Sequence, residues 1–266
     1  MKTSAHIGRL SCPGKVWLVG AGPGDAELLT LKAARVLKQC TVWLVADLVG
    51  RDILELAESE TKIIEVGKRG GCASTPQDFI LRLMAQYALE GRTVARLKGG
   101  DPFIFGRGGE EMAWLAHRGI EVESVSGITA GLAVASALGL PLTHREVSRG
   151  VVLVTAHTAD GARPDWQALA RSGLTVVCYM GMSQPAALSA ELLAGGFPAT
   201  LPLAIVQHVS CAAQRYIVTT LEHLASTVET SRIASPAVIV LGEVVRHAQA
   251  LPRQDAGETG LLARAV

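Results

Sequence analysis

The chain has 266 residues, a formal net charge of +1 at pH 7 and a hydrophobic fraction of 49%. This length is enough for one large domain or two domains of ordinary size. The near-zero charge argues against a protein that binds nucleic acid through its overall electrostatics. No apolar run reaches the roughly 18–20 residues that a membrane span needs, so neither nucleic acid nor a membrane is expected as a partner.

The N-terminal segment and the cysteines indicate a cytoplasmic protein. Residues 1–14 lack the apolar segment of a secretory signal and are expected to form a flexible lead. The five cysteines are widely spaced and include no CxxC pair. This pattern argues against a disulfide framework and a zinc site and favours a reducing compartment, so no metal is expected.

Short apolar runs alternate with amphipathic segments along the whole chain. Thr30 is predicted to cap the first helix, Pro76 to open a later one, and Gly91 to end it. The alternation predicts an α/β fold with mainly parallel sheets, and the adjacent runs near 203–220 predict an antiparallel hairpin. The predicted strands are 16–20, 42–46, 63–67, 93–97, 121–125, 151–156, 175–180, 203–207, 214–220 and 237–242.

The polar segment 142–150 is the predicted domain boundary, because two charged stretches meet there after a helix rich in small residues. The expected organisation is an N-terminal α/β domain at 15–145 and a C-terminal α/β domain at 150–246. A polar tail, 247–266, follows. Clefts between domains are common ligand sites, so the interdomain cleft is the expected active site.

The loop GAGPGD at 20–25 follows the first predicted strand and suggests a dinucleotide site. Its spacing is G-x-G-x-G rather than G-x-G-x-x-G, and Pro23 removes an amide that a phosphate would use. Helix-forming sequence begins only at 28–30, so no helix N-terminus directly follows the loop. These residues alone leave open a dinucleotide site, a plain turn, or a site for another ligand with an uncharged face.

A second loop, LKGGDPFIFGRGGEE at 97–111, narrows the choice. Its GGD at 99–101 would place a backbone cradle at the carboxyl end of a strand, where open α/β sheets bind ligands. The apolar run 103–105 comes next, where a polar turn would be ordinary. Arg107 then lies among glycines, and Glu110 opens a helix. A purely structural interpretation explains each part separately but not the whole run.

Seven motifs occur in one order: GAGPGD (20–25), GKRGG (67–71), LKGGDPFIFGRGGEE (97–111), GITAG (127–131), PLTHRE (141–146), YMG (179–181) and PAVIVLGEVV (236–245). Together they resemble the S-adenosylmethionine-dependent uroporphyrinogen-III C-methyltransferases over about 15–246. The resemblance implies two α/β domains of the tetrapyrrole methylase type, usually as a homodimer. It also implies methylation of uroporphyrinogen III at C2 and C7, giving precorrin-2 for siroheme, cobalamin or heme d1, with S-adenosylhomocysteine as the other product.

The resemblance also implies roles for individual residues. Glu110 is the candidate carboxylate for a cationic pyrrole, and Arg107 is the candidate catalytic and substrate-binding arginine. Since the substrate carries eight carboxylates, further substrate contacts are expected from Arg145, Lys68, Arg69 and His157. The implied cofactor-binding residues are Pro23, Gly99, Gly100, Asp101, Ile104, Thr129, Ala130, Met180, Val209, Pro236 and Ala237.

Three positions depart from the family pattern. Asp47 lies one residue later than the family's aspartate, Ser126 replaces a proline, and Ala156 replaces a glycine. Alternative functions are a methylase of a later corrin precursor, a ribosomal-RNA methyltransferase of the same fold, an NAD(P)-dependent oxidoreductase, and a non-catalytic binding protein. The lack of excess positive charge argues against the RNA enzyme.

Overall fold

A computed structural model describes residues 14–67, 75–156 and 161–248. The chain forms two compact units that divide between Ile128 and Thr129. The division lies before the predicted boundary segment, 142–150. Helix α5 (Ala130–Leu138) accounts for the difference, because it contacts strands of the second unit's sheet. Within the described ranges, every helix is too short or too polar to cross a membrane.

The first unit is built on a five-stranded parallel sheet in the order β3-β2-β4-β1-β5. β2 and β4 are buried along their whole lengths, as expected of inner strands covered on both faces. The strands are β1 (Lys15–Gly20), β2 (Val42–Val45), β3 (Lys62–Glu65), β4 (Val94–Lys98) and β5 (Glu121–Val125).

Helices cover both faces of this sheet. Strand residues such as Val19 and Leu97 pack toward α1 and α2, whereas Leu18 and Val94 pack toward α3 and α4. The chain leaves β1 and β4 in opposite directions across the sheet, which makes their adjacent carboxyl ends a topological switch point. The helices are α1 (Leu31–Leu37), α2 (Arg51–Leu54), α3 (Gln77–Leu89) and α4 (Gly108–Ala116).

The predicted helix signals in this unit are confirmed. Thr30 caps α1, with its Oγ1 accepting from the Ala33 amide at 3.1 Å. Pro76 precedes α3 at its N-cap, and Gly91 has a positive φ of 79° just beyond the helix. A short 3₁₀ turn, Ala26–Leu28, separates the GAGPGD loop from α1, so no α-helix directly follows that loop.

The second unit contains a mixed sheet in the order β6-β7-β10-β8-β9. Only the β6–β7 pair is parallel, and β10 runs antiparallel to both of its neighbours. The expectation of mainly parallel sheets is therefore wrong here, while the antiparallel hairpin of β8 and β9 is confirmed. The strands are β6 (Val151–Thr155), β7 (Thr175–Tyr179), β8 (Pro202–Gln207), β9 (Arg215–Thr220) and β10 (Ala237–Leu241).

One face of the mixed sheet carries the larger apolar core. Leu188 and Leu192 of α7 and Leu224 of α8 pack there against strand residues such as Ile205 and Ile239. Helix α5 contacts β7 and β10 of the same sheet. The remaining helices of this unit are α6 (Trp166–Ser172), α7 (Pro185–Ala194) and α8 (Leu224–Ser231).

Candidate functional site

The loops after β1 and β4 are joined backbone to backbone. The Gly22 amide donates to the Gly100 carbonyl at 3.2 Å, and the Gly100 amide donates to the Gly22 carbonyl at 2.6 Å. Gly22 precedes Pro23 in sequence, so the bridge places the Pro23 loop beside the 99–101 segment at the switch point. A side chain at Gly127, after β5, would clash with the Gly100 carbonyl, so three loop ends share this edge at backbone contact distance.

Asp101 ties two of these loops together. Its Oδ1 accepts from the Phe103 amide at 2.8 Å, and its Oδ2 accepts from the Gly127 amide at 3.0 Å. The residue is 8% exposed. A buried carboxylate that accepts two amide hydrogen bonds orders the loops, a structural role that the sequence alone did not indicate.

The next residues of the β4–α4 loop present an apolar surface. Phe103, Ile104 and Phe105 are 50%, 37% and 43% exposed. Adjacent exposed aromatic side chains are unusual on a protein surface and mark places where an apolar partner binds.

Arg107 and Glu110 form an exposed ion pair directly after this apolar surface. The Arg107 Nη2 donates to Glu110 Oε2 at 2.6 Å, and the backbone of Arg107 is left-handed at φ 59°. The hydrogen bond from Arg107 lowers the pKa of Glu110 below its ordinary value. Glu110 is therefore a carboxylate at neutral pH.

Behind the loop lies a buried ionic cluster that was not predicted from the sequence. Glu111 is fully buried and accepts from Lys98 Nζ at 3.0 Å, Arg96 Nε at 3.3 Å and Gln77 Nε2 at 2.9 Å. Burial and the neighbouring Arg96 lower the pKa of Lys98, against the opposing effect of Glu111. The cluster connects β4, α3 and α4 behind the segment 99–107.

A sequence signal for this cluster exists. Arg96 and Lys98 alternate with apolar residues on an inner strand, so both point to one face of the sheet and need a buried anion. Glu111 lies four residues before the buried Leu115 on the same face of α4. The two patterns together indicate a buried pairing between β4 and α4.

In the second unit, Thr129 and Met180 are placed near each other through Tyr179. The Tyr179 hydroxyl lies 2.6 Å from Thr129 Oγ1 and accepts from the Gly131 amide at 2.6 Å. A side chain at Gly131 would clash with that hydroxyl. Burial raises the pKa of Tyr179, so its hydroxyl stays protonated at neutral pH. Ala130 opens α5 at this point, and Met180 is half exposed with a left-handed backbone.

Val209, Pro236 and Ala237 also come together. The His208 amide donates to the Pro236 carbonyl at 3.1 Å, which holds the turn after β8 against the start of β10. Ala237 is the register partner of Gln207, the last residue of β8. Val209 is buried beside them.

Arg145 lies on a surface depression of the second unit. The depression is lined by Thr143, His144, Ser148 and Arg149 as well as by Arg145 itself. The ring of His144 stacks on His247, with ring centroids 4.3 Å apart. Arg145 and its neighbours form a positively charged surface suited to a carboxylate.

The three residues that depart from the family pattern lie in different surroundings. Asp47 is exposed, and its carboxylate lies against the backbone of Gly67. A Cβ atom at Gly67 would clash with Asp47 Oδ1. The Ser126 carbonyl accepts a long hydrogen bond from Thr30 Oγ1 at 3.5 Å. Ala156 is buried in the core of the second unit, where its methyl group packs among apolar side chains.

Lys68, Arg69 and His157 lie outside the described residues. The predicted cofactor-binding residues are described, so their chemistry can be compared with that of S-adenosylmethionine. Pro23 has no amide to donate and a 3₁₀ turn rather than an α-helix follows its loop, so the loop suits an uncharged adenosine better than a pyrophosphate. Within the described residues of the second unit, two buried side-chain atoms, Gln207 Oε1 and Ser210 Oγ, have no hydrogen-bond partner. The residues present therefore fit this cofactor.

Residues 15–225 match the family of tetrapyrrole (corrin/porphyrin) methylases. The chain is 55% identical to a uroporphyrinogen-III C-methyltransferase of Pseudomonas aeruginosa, over 90% of this chain and 97% of that protein. It is 44% identical to siroheme synthase 2 of Aeromonas hydrophila, over 87% of this chain and 49% of that protein. The crystal structure of a Thermus thermophilus uroporphyrin-III C-methyl transferase complexed with S-adenyl homocysteine has a TM-score of 0.77 and 41% identity, covering 88% of this chain and 100% of that one. The chain therefore belongs to the tetrapyrrole methylases.

Proposed function

We propose that the chain transfers two methyl groups from S-adenosylmethionine to C2 and C7 of uroporphyrinogen III, giving precorrin-2. The observation that carries the proposal is the exposed surface of the β4–α4 loop. It joins an apolar surface, 103–105, to the Arg107–Glu110 ion pair. A macrocycle with an apolar body and peripheral carboxylates matches this combination. The similarity to uroporphyrinogen-III C-methyltransferases supports the same reaction.

Arg107 and Arg145 bind substrate carboxylates in this proposal, because the planar guanidinium pairs with a carboxylate through two hydrogen bonds. Lys68, Arg69 and His157 are further proposed contacts. The pairing of Arg107 with Glu110 holds the guanidinium near the apolar surface before substrate binds.

Glu110 acts by its charge. S-adenosylmethionine, when bound, supplies an activated methyl group that needs no metal. The attacked pyrrole gains positive charge, and a fixed carboxylate stabilises that charge. Because Arg107 lowers the pKa of Glu110, the carboxylate is a weak base, which favours electrostatic stabilisation over proton removal. Positioning of substrate and cofactor contributes the rest of the rate enhancement.

The proposed cofactor contacts are those that the family resemblance implies. In the first unit they are Pro23, Gly99, Gly100, Asp101 and Ile104. In the second they are Thr129, Ala130, Met180, Val209, Pro236 and Ala237. Asp101 contributes mainly through the loops that its carboxylate orders, and Tyr179 holds the Thr129 hydroxyl in place.

The test is anaerobic incubation of the purified protein with uroporphyrinogen III and methyl-labelled S-adenosylmethionine. Two methyl groups per substrate and a product with the mass of precorrin-2 are expected. Labelling of a later corrin precursor but not of uroporphyrinogen III would contradict the proposal. So would binding of NADH without binding of S-adenosylhomocysteine. The heat-denatured protein is the control for non-enzymatic methylation.

We also propose that the protein is a cytoplasmic homodimer, the assembly that the family resemblance implies. Light scattering of the purified protein tests the assembly, with a mass of twice the 27.9 kDa of the chain expected. A monomer mass at micromolar concentration would contradict it.

A further inference from the structure

Arg145 is carried by a short turn that is closed at both ends. The His144 amide donates to the Ser148 carbonyl at 2.8 Å, and the Ser148 amide donates to the His144 carbonyl at 2.9 Å. Ser148 is only 6% exposed, and its Oγ accepts from the Thr175 amide at 2.9 Å at the start of β7. Arg145 is exposed and directly follows His144. The conformation of this turn therefore decides where the Arg145 guanidinium lies.

The imidazole of His144 adds a hydrogen bond inside the turn. The Glu146 amide donates to His144 Nδ1 at 3.3 Å. Because a backbone amide only donates, this ring nitrogen is the unprotonated acceptor of the imidazole. A side-chain acceptor that bonds the amide two residues further on stabilises a turn, as Asn and Asp side chains do. His144 thus fixes the peptide that follows Arg145.

His247 holds the same imidazole from outside the turn. It ends the 3₁₀ segment Glu243–His247, and its ring stacks on that of His144 with centroids 4.3 Å apart and planes 18° apart. Stacked rings attract one another, which restricts their rotation. His144 lines two surface depressions and His247 lines one of them, so both rings contact solvent. The ring of His144 is therefore held from two sides and is still accessible to protons.

From these contacts we infer that His144 is a positioning residue, which holds the turn that presents Arg145 to a substrate carboxylate as long as its Nδ1 is unprotonated. The inference rests on the proposed function, in which Arg145 binds the substrate. A guanidinium that is oriented before binding loses less conformational freedom when it pairs with a carboxylate. His144 therefore affects substrate affinity through Arg145, without a contact of its own to the substrate.

Histidine chemistry makes this positioning sensitive to pH. Histidine is the side chain whose charge ordinarily changes between about pH 5 and 8. Protonation turns Nδ1 into a donor that faces the Glu146 amide, so the turn loses that hydrogen bond. Protonation of His247 as well places two like charges in one stack. The other charged groups of the turn and the 3₁₀ segment are Arg145, Glu146, Arg149, Glu243 and Arg246, of which the last two pair at 2.8 Å. Helix α5, which lines the second depression, has no titratable side chain.

The test is steady-state kinetics of methyl transfer to uroporphyrinogen III with variants of the ring. His144→Phe keeps a ring for the stack but removes the acceptor, and should raise the KM for uroporphyrinogen III about fivefold, the loss of one hydrogen bond. Its kcat and its KM for S-adenosylmethionine should stay within about twofold of the wild type, because only substrate binding is affected. His144→Asn keeps an acceptor for the Glu146 amide and should restore the KM for uroporphyrinogen III. His223→Phe, at an exposed histidine of the second unit, is the control and should change none of these constants.

Two further readouts separate positioning from a structural role. As the pH falls from about 7.5 to about 5.5, the KM of the wild type for uroporphyrinogen III should rise several-fold more than that of His144→Asn, which cannot be protonated. In an Arg145→Ala background, His144→Phe should raise this KM less than about twofold further, because the residue through which it acts is gone. An equal effect of His144→Phe with and without Arg145 would overturn the inference, as would identical pH profiles of the wild type and His144→Asn.

Failure of the inference is distinguishable from failure of the proposed function. If the wild type does not methylate uroporphyrinogen III, the proposed function fails and the inference fails with it. If the wild type methylates it and His144→Phe keeps the wild-type KM, the inference alone fails. A thermal melt of each variant accompanies the kinetics. If His144→Phe melts at a lower temperature than the wild type and loses kcat as well, His144 is a structural residue and the inference is wrong.

Discussion

Glu110 and Glu111 are neighbours in the first turn of α4, yet they occupy opposite environments. Successive residues of an α-helix point about 100° apart. Glu110 consequently faces solvent and pairs with Arg107, whereas Glu111 faces the sheet and is fully buried among Arg96, Lys98 and Gln77. One helical step separates a carboxylate available to substrate from one that is enclosed.

The difference shows how this loop can be both ordered and reactive. The Glu111 cluster connects α4 to β4 and α3, so the exposed pair stands on a fixed base. The buried charges cannot reach a ligand without unfolding, while the exposed pair can exchange partners at little cost.

The largest effect is expected from Glu111→Gln. The substitution leaves Lys98 and Arg96 buried without their anion, a loss of about 3–5 kcal/mol in the free energy of unfolding. Urea denaturation followed by circular dichroism measures it. Glu110→Gln is the matched control on the same turn and should change stability by less than about 1 kcal/mol. Similar losses in both variants would abolish the distinction between the two carboxylates.

The second prediction concerns activity. Glu110→Gln removes the exposed carboxylate and should slow methyl transfer about 100-fold, the low end of what one fixed group contributes by stabilising charge that develops in the transition state. Initial rates with uroporphyrinogen III measure the change. The Michaelis constant for S-adenosylmethionine should stay within a few-fold of the wild type. A rate close to that of the wild type would remove Glu110 from the proposed chemistry.

The third prediction uses the lowered pKa of Lys98. Between its folded pKa and its ordinary value of 10.5, the unfolded chain binds a proton that the folded chain has released. Stability contributed by Lys98 therefore rises with pH across that window. In Lys98→Met this rise should be absent, so the unfolding free energy of the wild type should increase relative to that of the variant across the window. Denaturant titrations at several alkaline pH values measure it, and parallel stability curves would show that the pKa is not lowered.

The sequence predicted much of the fold and part of the site. Within the described ranges, all ten strands lie close to the predicted apolar runs, because burial on both faces leaves a strong local pattern. The strand directions of the second sheet were mispredicted, since direction depends on how distant segments connect. Tyr179 and Gln207 were missed for a related reason. Tyr179 is notable for its hydrogen bond to the distant Thr129, and Gln207 for a buried oxygen without a hydrogen-bond partner. A single sequence shows neither kind of contact.

The smallest effect is expected from the exposed pair itself. A double-mutant cycle of Arg107→Ala and Glu110→Gln should give a coupling below about 1 kcal/mol in unfolding free energy, because both side chains are hydrated and more than half exposed. The coupling should fall further in high salt. A cycle of Lys98→Met with Glu111→Gln provides the buried reference and should give a clearly larger coupling. If the coupling energy of the exposed pair equalled that of the buried pair, Arg107 would be a structural residue. Its proposed exchange from Glu110 to a substrate carboxylate would then be unfavourable, because breaking the ion pair would outweigh the new contact.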